Sequence, residues 1–407
     1  MSKLMSMFKE ELKKNKKADI AEEASFDIQY PTGFTSLDFL NGSMVHTKID
    51  GVETEYRSVG VVDGSSNTFI SRPGCGKSTL CTQIIGNLLK RFPESDAYID
   101  DIEGSLPASR KGFLLGLEGK ELEERVHIRN TGITTENVYD QIKTIRDVKI
   151  ANKKDFTYDT GMYDTYGNKI YKLYPTFYFI DSFAMLMPND ISEDDAIENV
   201  MAGTTTAKKN AYLIRKISQL LKEANIILFT INHIQDNIQM GFLPNPAQVA
   251  GLKTSERLPG GKTAIYLANN MFRLDEKSSL KDSEGFGILG TIVDVTIVKS
   301  RTNASKRSVP LVFDKTYGAF DNILSMYMYL KNQGCIGGAG KAMYLENCPD
   351  IKFSQKEFKT KLMNSPELQQ AFSELSRSEM DKLLAMTKNQ EVEEEKPFDL
   401  NNSILGF

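Results

Sequence analysis

Cysteine and histidine are scarce in this chain: four of the first and three of the second among 407 residues. Cys75, Cys81, Cys335 and Cys348 form no metal-like pairs, and no His/Cys cluster has zinc-ligand spacing. Free thiols in a reducing cytoplasm are the expectation that follows. Long apolar runs are lacking too. No stretch approaches the ~20 residues of a membrane span, and the N-terminus has no secretory pattern, so no membrane partner is expected. Nor is there an excess of one charge. Lys and Arg number 50 against 54 Asp and Glu, a net charge of −4, so any surface for nucleic acid has to be local. The remaining composition is ordinary for a globular protein, and the length suits one large domain with one or two small ones.

What is present is organised around residues 69–80, FISRPGCGKSTL. An apolar run that reads as a buried strand gives way to a turn of small residues. A helix follows, with Leu80, Ile84, Ile85 and Leu88 at helical spacing. A strand, a glycine-rich turn and a helix opening with Lys-Ser is a phosphate-cradling loop. Ser71, Arg72, Pro73, Gly74, Cys75, Gly76, Lys77, Ser78 and Thr79 are its expected ATP-binding residues. Small residues turn backbone N–H groups onto phosphate oxygens, Lys77 brings a positive charge to the β- and γ-phosphates, and the Ser78 hydroxyl ligates Mg²⁺. Ser71 stands where the pattern has its first glycine. The plain alternative is a strand–turn–helix corner that happens to carry a lysine.

Three further strand ends belong with this loop. Residues 97–103, AYIDDIE, end in acidic groups. A carboxylate there can accept a proton from the water attacking the γ-phosphate; Glu103 is the candidate base and Asp101 the alternative. Residues 175–182, PTFYFIDS, form a near-continuous apolar strand ending in Asp181, the candidate outer ligand of Mg²⁺. Residues 226–233, IILFTINH, end in Asn232 and His233, and His233 is the candidate sensor of the γ-phosphate. Strands alternating with helices, such as the one expected over 207–224, imply a doubly wound, mostly parallel sheet with its ligand site at the carboxyl ends.

Other stretches are less regular. Residues 235–261 have few helix or strand signals and hold Phe242, Lys253 and Arg257, a stacking ring and two phosphate-seeking cations. Residues 188–206 form a second such loop, acidic in front, with Lys208 and Lys209 following it. Strands are expected over 269–275 and 290–301. At the exit of the second, Lys299 and Arg301 project from one face and can reach a phosphate, in their own subunit or the next. Residues 45–66 and the tyrosine-rich 152–175 read as hairpins without assigned chemistry. Residues 2–16 read as a short amphipathic helix that must dock on something, and 353–386 as helical. The expected divisions are an oligomerisation segment (1–29), the core (30–322), a small C-terminal domain (323–390) and an acidic disordered tail (391–407).

In order and spacing these motifs resemble the RecA-type homologous-recombination ATPases, most closely their phage branch, over about residues 28–385. The family's catalytic strand is matched by YIDDIEGSL, one residue longer than usual before Glu103, and its Walker B strand by FYFIDS. Its γ-phosphate sensor is matched by Asn232-His233. Its second DNA-binding loop resembles MGFLPNP followed by PGGKTAIYLANN. Lys299-Ser300-Arg301-Thr302 resembles the cations that bridge ATP across a subunit interface.

The resemblance implies a RecA-like core and ATP with Mg²⁺ between protomers of a helical filament on single-stranded DNA. It also implies homologous pairing with double-stranded DNA, strand exchange, and partners such as a single-strand-binding protein and a loading mediator. DnaB-type hexameric helicases are the alternative, sharing TGFTSLD, the Ser-Arg-Pro opening and KSRTNASKRSVPLVFDKTYGAFDN. About thirty residues precede the core, too few for a helicase collar domain, and the chain continues past the helicase pattern in a stretch similar to the recombinase C-terminal region. A filament protein using ATP only as an assembly switch is the non-enzyme alternative.

Overall fold

The computed structural model describes residues 28–104, 107–164, 167–192, 202–236, 251–259, 268–280 and 289–386. The expected N-terminal helix and acidic tail lie outside them. The chain is an α/β protein built on a nine-stranded sheet. In chain order the strands are β1 Ser66–Ser71, β2 Ala97–Asp101, β3 Val126–Arg129, β4 Thr176–Asp181, β5 Ile226–His233, β6 Asn270–Leu280, β7 Gly290–Lys299, β8 Arg307–Asp314 and β9 Ala319–Asp321. Across the sheet they run β9-β8-β7-β6-β1-β5-β4-β2-β3. Neighbours from β6 to β3 are parallel, and those from β6 to β9 antiparallel.

The apolar runs become central strands because both faces of the sheet are covered. Phe177 and Phe179 of β4 point to one side with Ile227, Phe229 and Ile231 of β5, where Leu80, Ile84 and Leu88 of helix α1 (Lys77–Arg91) pack. Tyr178, Ile180, Ile226 and Leu228 point to the other, against α3 (Thr135–Ala151) and α4 (Ala202–Ala224). On the first side α2 (Ala108–Leu115) packs against α1. A smaller core, with Tyr327, Phe353, Phe358 and Leu368, seals α5 (Asn322–Asn332) and α6 (Pro366–Asp381) onto Ile292 and Val312 at the antiparallel end. Among the described residues no helix is long and apolar enough to cross a membrane.

Several expectations shift at their edges. The strand expected over 97–103 ends at Asp101, and the helix expected from 207 begins at Ala202. The strand expected over 290–301 ends at Lys299, so Arg301 lies beyond it and the two cations do not share a strand face. Residues 353–386 are not continuously helical. Phe353 closes a strand, Cys348–Phe353, and Ser365-Pro366 separates Phe358–Asn364 from α6, with the Ser365 hydroxyl capping the Leu368 amide. The two inserted hairpins, Ser43–Ile49 with Val52–Ser58 and Thr157–Tyr163 with Lys169–Leu173, meet: the Tyr56 hydroxyl donates to the Tyr163 carbonyl at 2.7 Å.

Asp38 is buried in the segment leading into the sheet, where it accepts from the amide and hydroxyl of Thr32 at 2.7 and 2.6 Å. Burial pushes its carboxyl from 3.8 up to about 7, while the bonds from Thr32 and Gly33 and the charge of Arg91 pull the other way. The unfolded chain therefore loses this proton near pH 4 and the folded chain near pH 7. Between those values the folded state binds more protons, so this group's contribution to stability falls as pH rises and is flat above about 7. Asp38→Asn is expected to remove that slope: the difference in denaturation midpoint between variant and wild type should favour the variant more at pH 7.5 than at pH 4.5.

Candidate functional site

β1 delivers Ser71 to the carboxyl edge of the parallel strands, and the chain turns through Gly74 (φ 86°) and Gly76 (φ 81°) into α1. The helix has no side-chain cap and no acidic residue in its first turn. Its leading amides and the positive end of its dipole form a cradle for an anion. Gly76 is confined twice over. Its φ is left-handed, and a Cβ there would stand 2.9 Å from the Phe320 ring, which packs across the turn.

Lys77 lies folded into this loop, 4% exposed. Its ammonium donates to the Ser71 hydroxyl at 2.8 Å and to the carbonyls of Arg72 and Ser71 at 3.3 and 3.4 Å. Ser71, the departure from the glycine pattern, thus supplies an oxygen that holds the lysine. Burial pushes the ammonium below its ordinary value; the Cys75 thiol, Asp181 and Glu103 act in the opposite direction. The same ammonium is 3.4 Å from His233 Nδ1, and His233 Nε2 is 3.0 Å from Glu103 Oε1. Three of the expected residues, from three strand ends, form one connected chain of polar atoms.

The two candidate bases separate clearly. Asp101 is paired with Lys111 of α2 at 2.5 Å, both side chains below 10% exposed, which removes it from contact with water. Glu103 keeps access to solvent, its side chain 23% exposed. Backbone amides of Ile102 and Glu103 donate to the Asp181 carbonyl at 2.7 and 3.2 Å, which fixes where the chain leaves β2. Asp181 is buried at the end of β4, and its charge is felt by both Lys77 and the Cys81 thiol of α1. Among the described residues no cluster of three or more His, Cys, Asp or Glu side chains could hold a metal alone. A hydroxyl from half-buried Ser78 and the Asp181 carboxylate instead fit Mg²⁺, which takes few protein ligands and completes its shell with phosphates and water.

Asn232 accepts from the His233 amide at 2.8 Å and donates to the Pro259 carbonyl at 2.9 Å, linking this strand end to the 251–259 segment. Lys253 and Arg257 are exposed on that segment, whereas Phe242 lies outside the described residues. Lys208 is exposed, but Lys209 is ion-paired with Asp190 at 2.6 Å and Glu136 at 3.4 Å. Lys299 and Arg301 are not brought to the phosphate loop of their own chain. β7 runs against the parallel strands, so Lys299 pairs with Met271 and Met271 with Thr68, three residues short of Ser71. That is about 10 Å along the sheet and a further ~10 Å across it, with Arg301 beyond. Burial and the neighbouring charge of Arg301 push the Lys299 ammonium below its ordinary value.

Two neighbours of the site had no assigned role. Arg110, at the start of α2, donates to the carbonyls of Tyr317 (2.8 Å) and Gly318. That turn is fastened beside the phosphate loop by Phe320, whose amide donates to Gln83 of α1 at 2.8 Å, and it presents Tyr317 64% exposed. The sequence places Arg110 and Tyr317 more than two hundred residues apart, and neither carries a motif, so only the β8–β9 turn reveals them together. Comparison of the chain with protein-family models finds no match, and comparison with curated proteins finds none.

Gly76→Ala is expected to lower stability by about 1–3 kcal/mol, from the left-handed backbone and displacement of Phe320. Denaturant unfolding measures it, with Gly76→Ala in a Phe320→Leu background recovering part of the loss.

Proposed function

We propose that the chain is a DNA-dependent ATPase of the RecA type. It assembles as a helical filament on single-stranded DNA and carries out homologous pairing and strand exchange in recombination and repair. The observation that supports this most directly is the connected chain Lys77–His233–Glu103 above an uncapped helix start. A buried cation, an imidazole and a partly exposed carboxylate at the carboxyl ends of β1, β5 and β2 suit a γ-phosphate with an attacking water beside it.

In this reading the amides opening α1 take the phosphates, and Lys77 moves from Ser71 and Arg72 to the β- and γ-phosphate oxygens. Ser78 and Asp181 would hold Mg²⁺, which would supply positive charge against the phosphates. Glu103 accepts the proton of the attacking water. His233, between Lys77 and Glu103, contacts the γ-phosphate, and its neighbour Asn232 connects that contact to Pro259 and the loop meant for DNA. Tyr317, exposed on the turn that Arg110 fastens, offers a ring for the purine to stack on. Lys299 and Arg301, out of reach of their own phosphate loop, complete the site of an adjoining protomer. A RecA-like strand arrangement is part of the same proposal: one strand, β5, lies between β1 and the Asp181 strand, so His233 ends up between the two.

Glu103→Gln is expected to keep nucleotide and DNA binding while losing single-strand-stimulated hydrolysis by about 10²–10⁴-fold, the usual range for a general base. A variant that hydrolyses normally refutes the assigned base, and retained assembly without any wild-type hydrolysis identifies an ATP-gated filament protein instead. Arg301→Ala should spare the ATP affinity of the isolated chain but suppress DNA-stimulated hydrolysis; normal hydrolysis on DNA refutes the shared site. Electron microscopy with ATP and a long single strand separates an open helix, as proposed, from the six-membered ring of a DnaB-type helicase.

A further inference from the structure

Glu103 is carried on a bend that belongs to no strand. β2 ends at Asp101, and the chain turns through Ile102 and Glu103 to Gly104, whose φ of 62° is left-handed. Backbone bonds tie this bend to β4: the amides of Ile102 and Glu103 donate to the Asp181 carbonyl, and that of Gly104 turns back to the Asp101 carbonyl at 3.3 Å. A side chain supplies another anchor. The Asp101 carboxylate, 3% exposed, accepts from the Lys111 ammonium, 7% exposed, at 2.5 Å. A cation and an anion buried this far hold each other firmly, and removing one leaves the other as a lone charge in a dry environment.

Lys111 lies near the start of α2, and α2 is itself fixed. Its Leu115 backbone comes so close to α1 that a Cβ at Gly86 would stand 2.5 Å from the Leu115 carbonyl oxygen. Beside Lys111, Arg110 donates to the carbonyls of Tyr317 and Gly318 on the β8–β9 turn. Since α1 opens with Lys77, a continuous run of packed groups leads from the phosphate loop along α1, across to α2, through Lys111 to Asp101, and on to Glu103 two residues later. We propose that Lys111 is a positioning residue for Glu103. Its pairing with Asp101 sets where the bend stands relative to the start of α1, so that the carboxylate meets the attacking water. This rests on the ATPase reading above. The pair is buried, so its effect on hydrolysis passes through Glu103.

The test uses the full chain and measures melting temperature, affinity for a fluorescent ATP analogue, and KM and kcat for ATP hydrolysis on oligo(dT). Lys111→Met removes the ammonium and strands the Asp101 carboxylate, so melting temperature and kcat should both fall. Asp101→Asn combined with Lys111→Met leaves no charge behind. Most of the lost stability should then return, because replacing both partners of a buried pair costs far less than removing one. In this double variant, analogue affinity and KM should lie within about twofold of wild type while kcat stays about tenfold down, inside the span that a displacement of about 1 Å can cost. Where Lys111→Met does not fold, the double variant reports alone. A double variant that regains kcat together with its melting temperature shows a brace of the fold only and overturns the assignment. One that loses affinity, KM and kcat together overturns it too. A loss in the double variant as deep as that of Glu103→Gln would make Asp101 the base, and the assignment falls again. If the wild type binds no analogue, or hydrolyses no ATP on oligo(dT), the ATPase reading itself is overturned and the role of Lys111 with it.

Discussion

A positive charge with most of its water removed is the constraint around which the carboxyl edge of this sheet is arranged. Lys77 sits at the start of a helix, the positive end of its dipole, where an ammonium gains nothing from the helix itself. It stays there because oxygens of Ser71 and Arg72 curl over it, and because Asp181 and Glu103 are close enough to favour the charged form. The apolar contacts of α1 with β4 and β5 then fix the height of the helix, and with it the height of the ammonium above the strands. An anion entering the cradle replaces neutral oxygens with charged ones, a stronger partnership in the same dry environment. That exchange is the physical basis on which an ATPase reading stands.

Sheet direction divides the molecule's labour. In the parallel half every strand ends on the same edge, so Ser71, Asp101, Asp181 and His233 arrive together although the chain between them wanders over both faces. The antiparallel half reverses this. β7 runs back, so Lys299 finishes about three residues below the loop, and hydroxyls of Ser300 and Thr302 anchor the following turn to Asn41. A cation held there is out of reach of its own phosphate loop. The same reversal returns the chain through β8 and β9 to the loop, where Phe320 restricts Gly76 and the Tyr317 turn meets Arg110. One half of the sheet assembles a site, and the other closes one side of it.

Electrostatic neighbours sort residues that composition treats alike. Asp101 and Glu103 are two positions apart, yet one is locked to Lys111 in the interior and the other bonds His233 at the rim. Lys208 and Lys209 are adjacent, yet only the first is left exposed, because Asp190 and Glu136 converge on the second. Arg72 and Arg273 pair with the facing carboxylates Asp236 and Glu256, but the first pair is exposed and the second is buried.

Local patterning alone was enough to place the strand–turn–helix corner at residues 69–80, the apolar strands β4 and β5, most of α4 between them, and both inserted hairpins. These signals are short-range: a run of apolar residues, a glycine where φ must be positive, a helical period. β3 escaped because four residues, VHIR, at a sheet edge carry too little pattern, and the break at Ser365-Pro366 was hidden by helical residues on both sides. Which carboxylate stays wet, why Ser71 replaces a glycine, and which cations face the loop were decided by tertiary structure. Each depends on strand register and on groups distant in sequence, and a one-dimensional pattern holds neither.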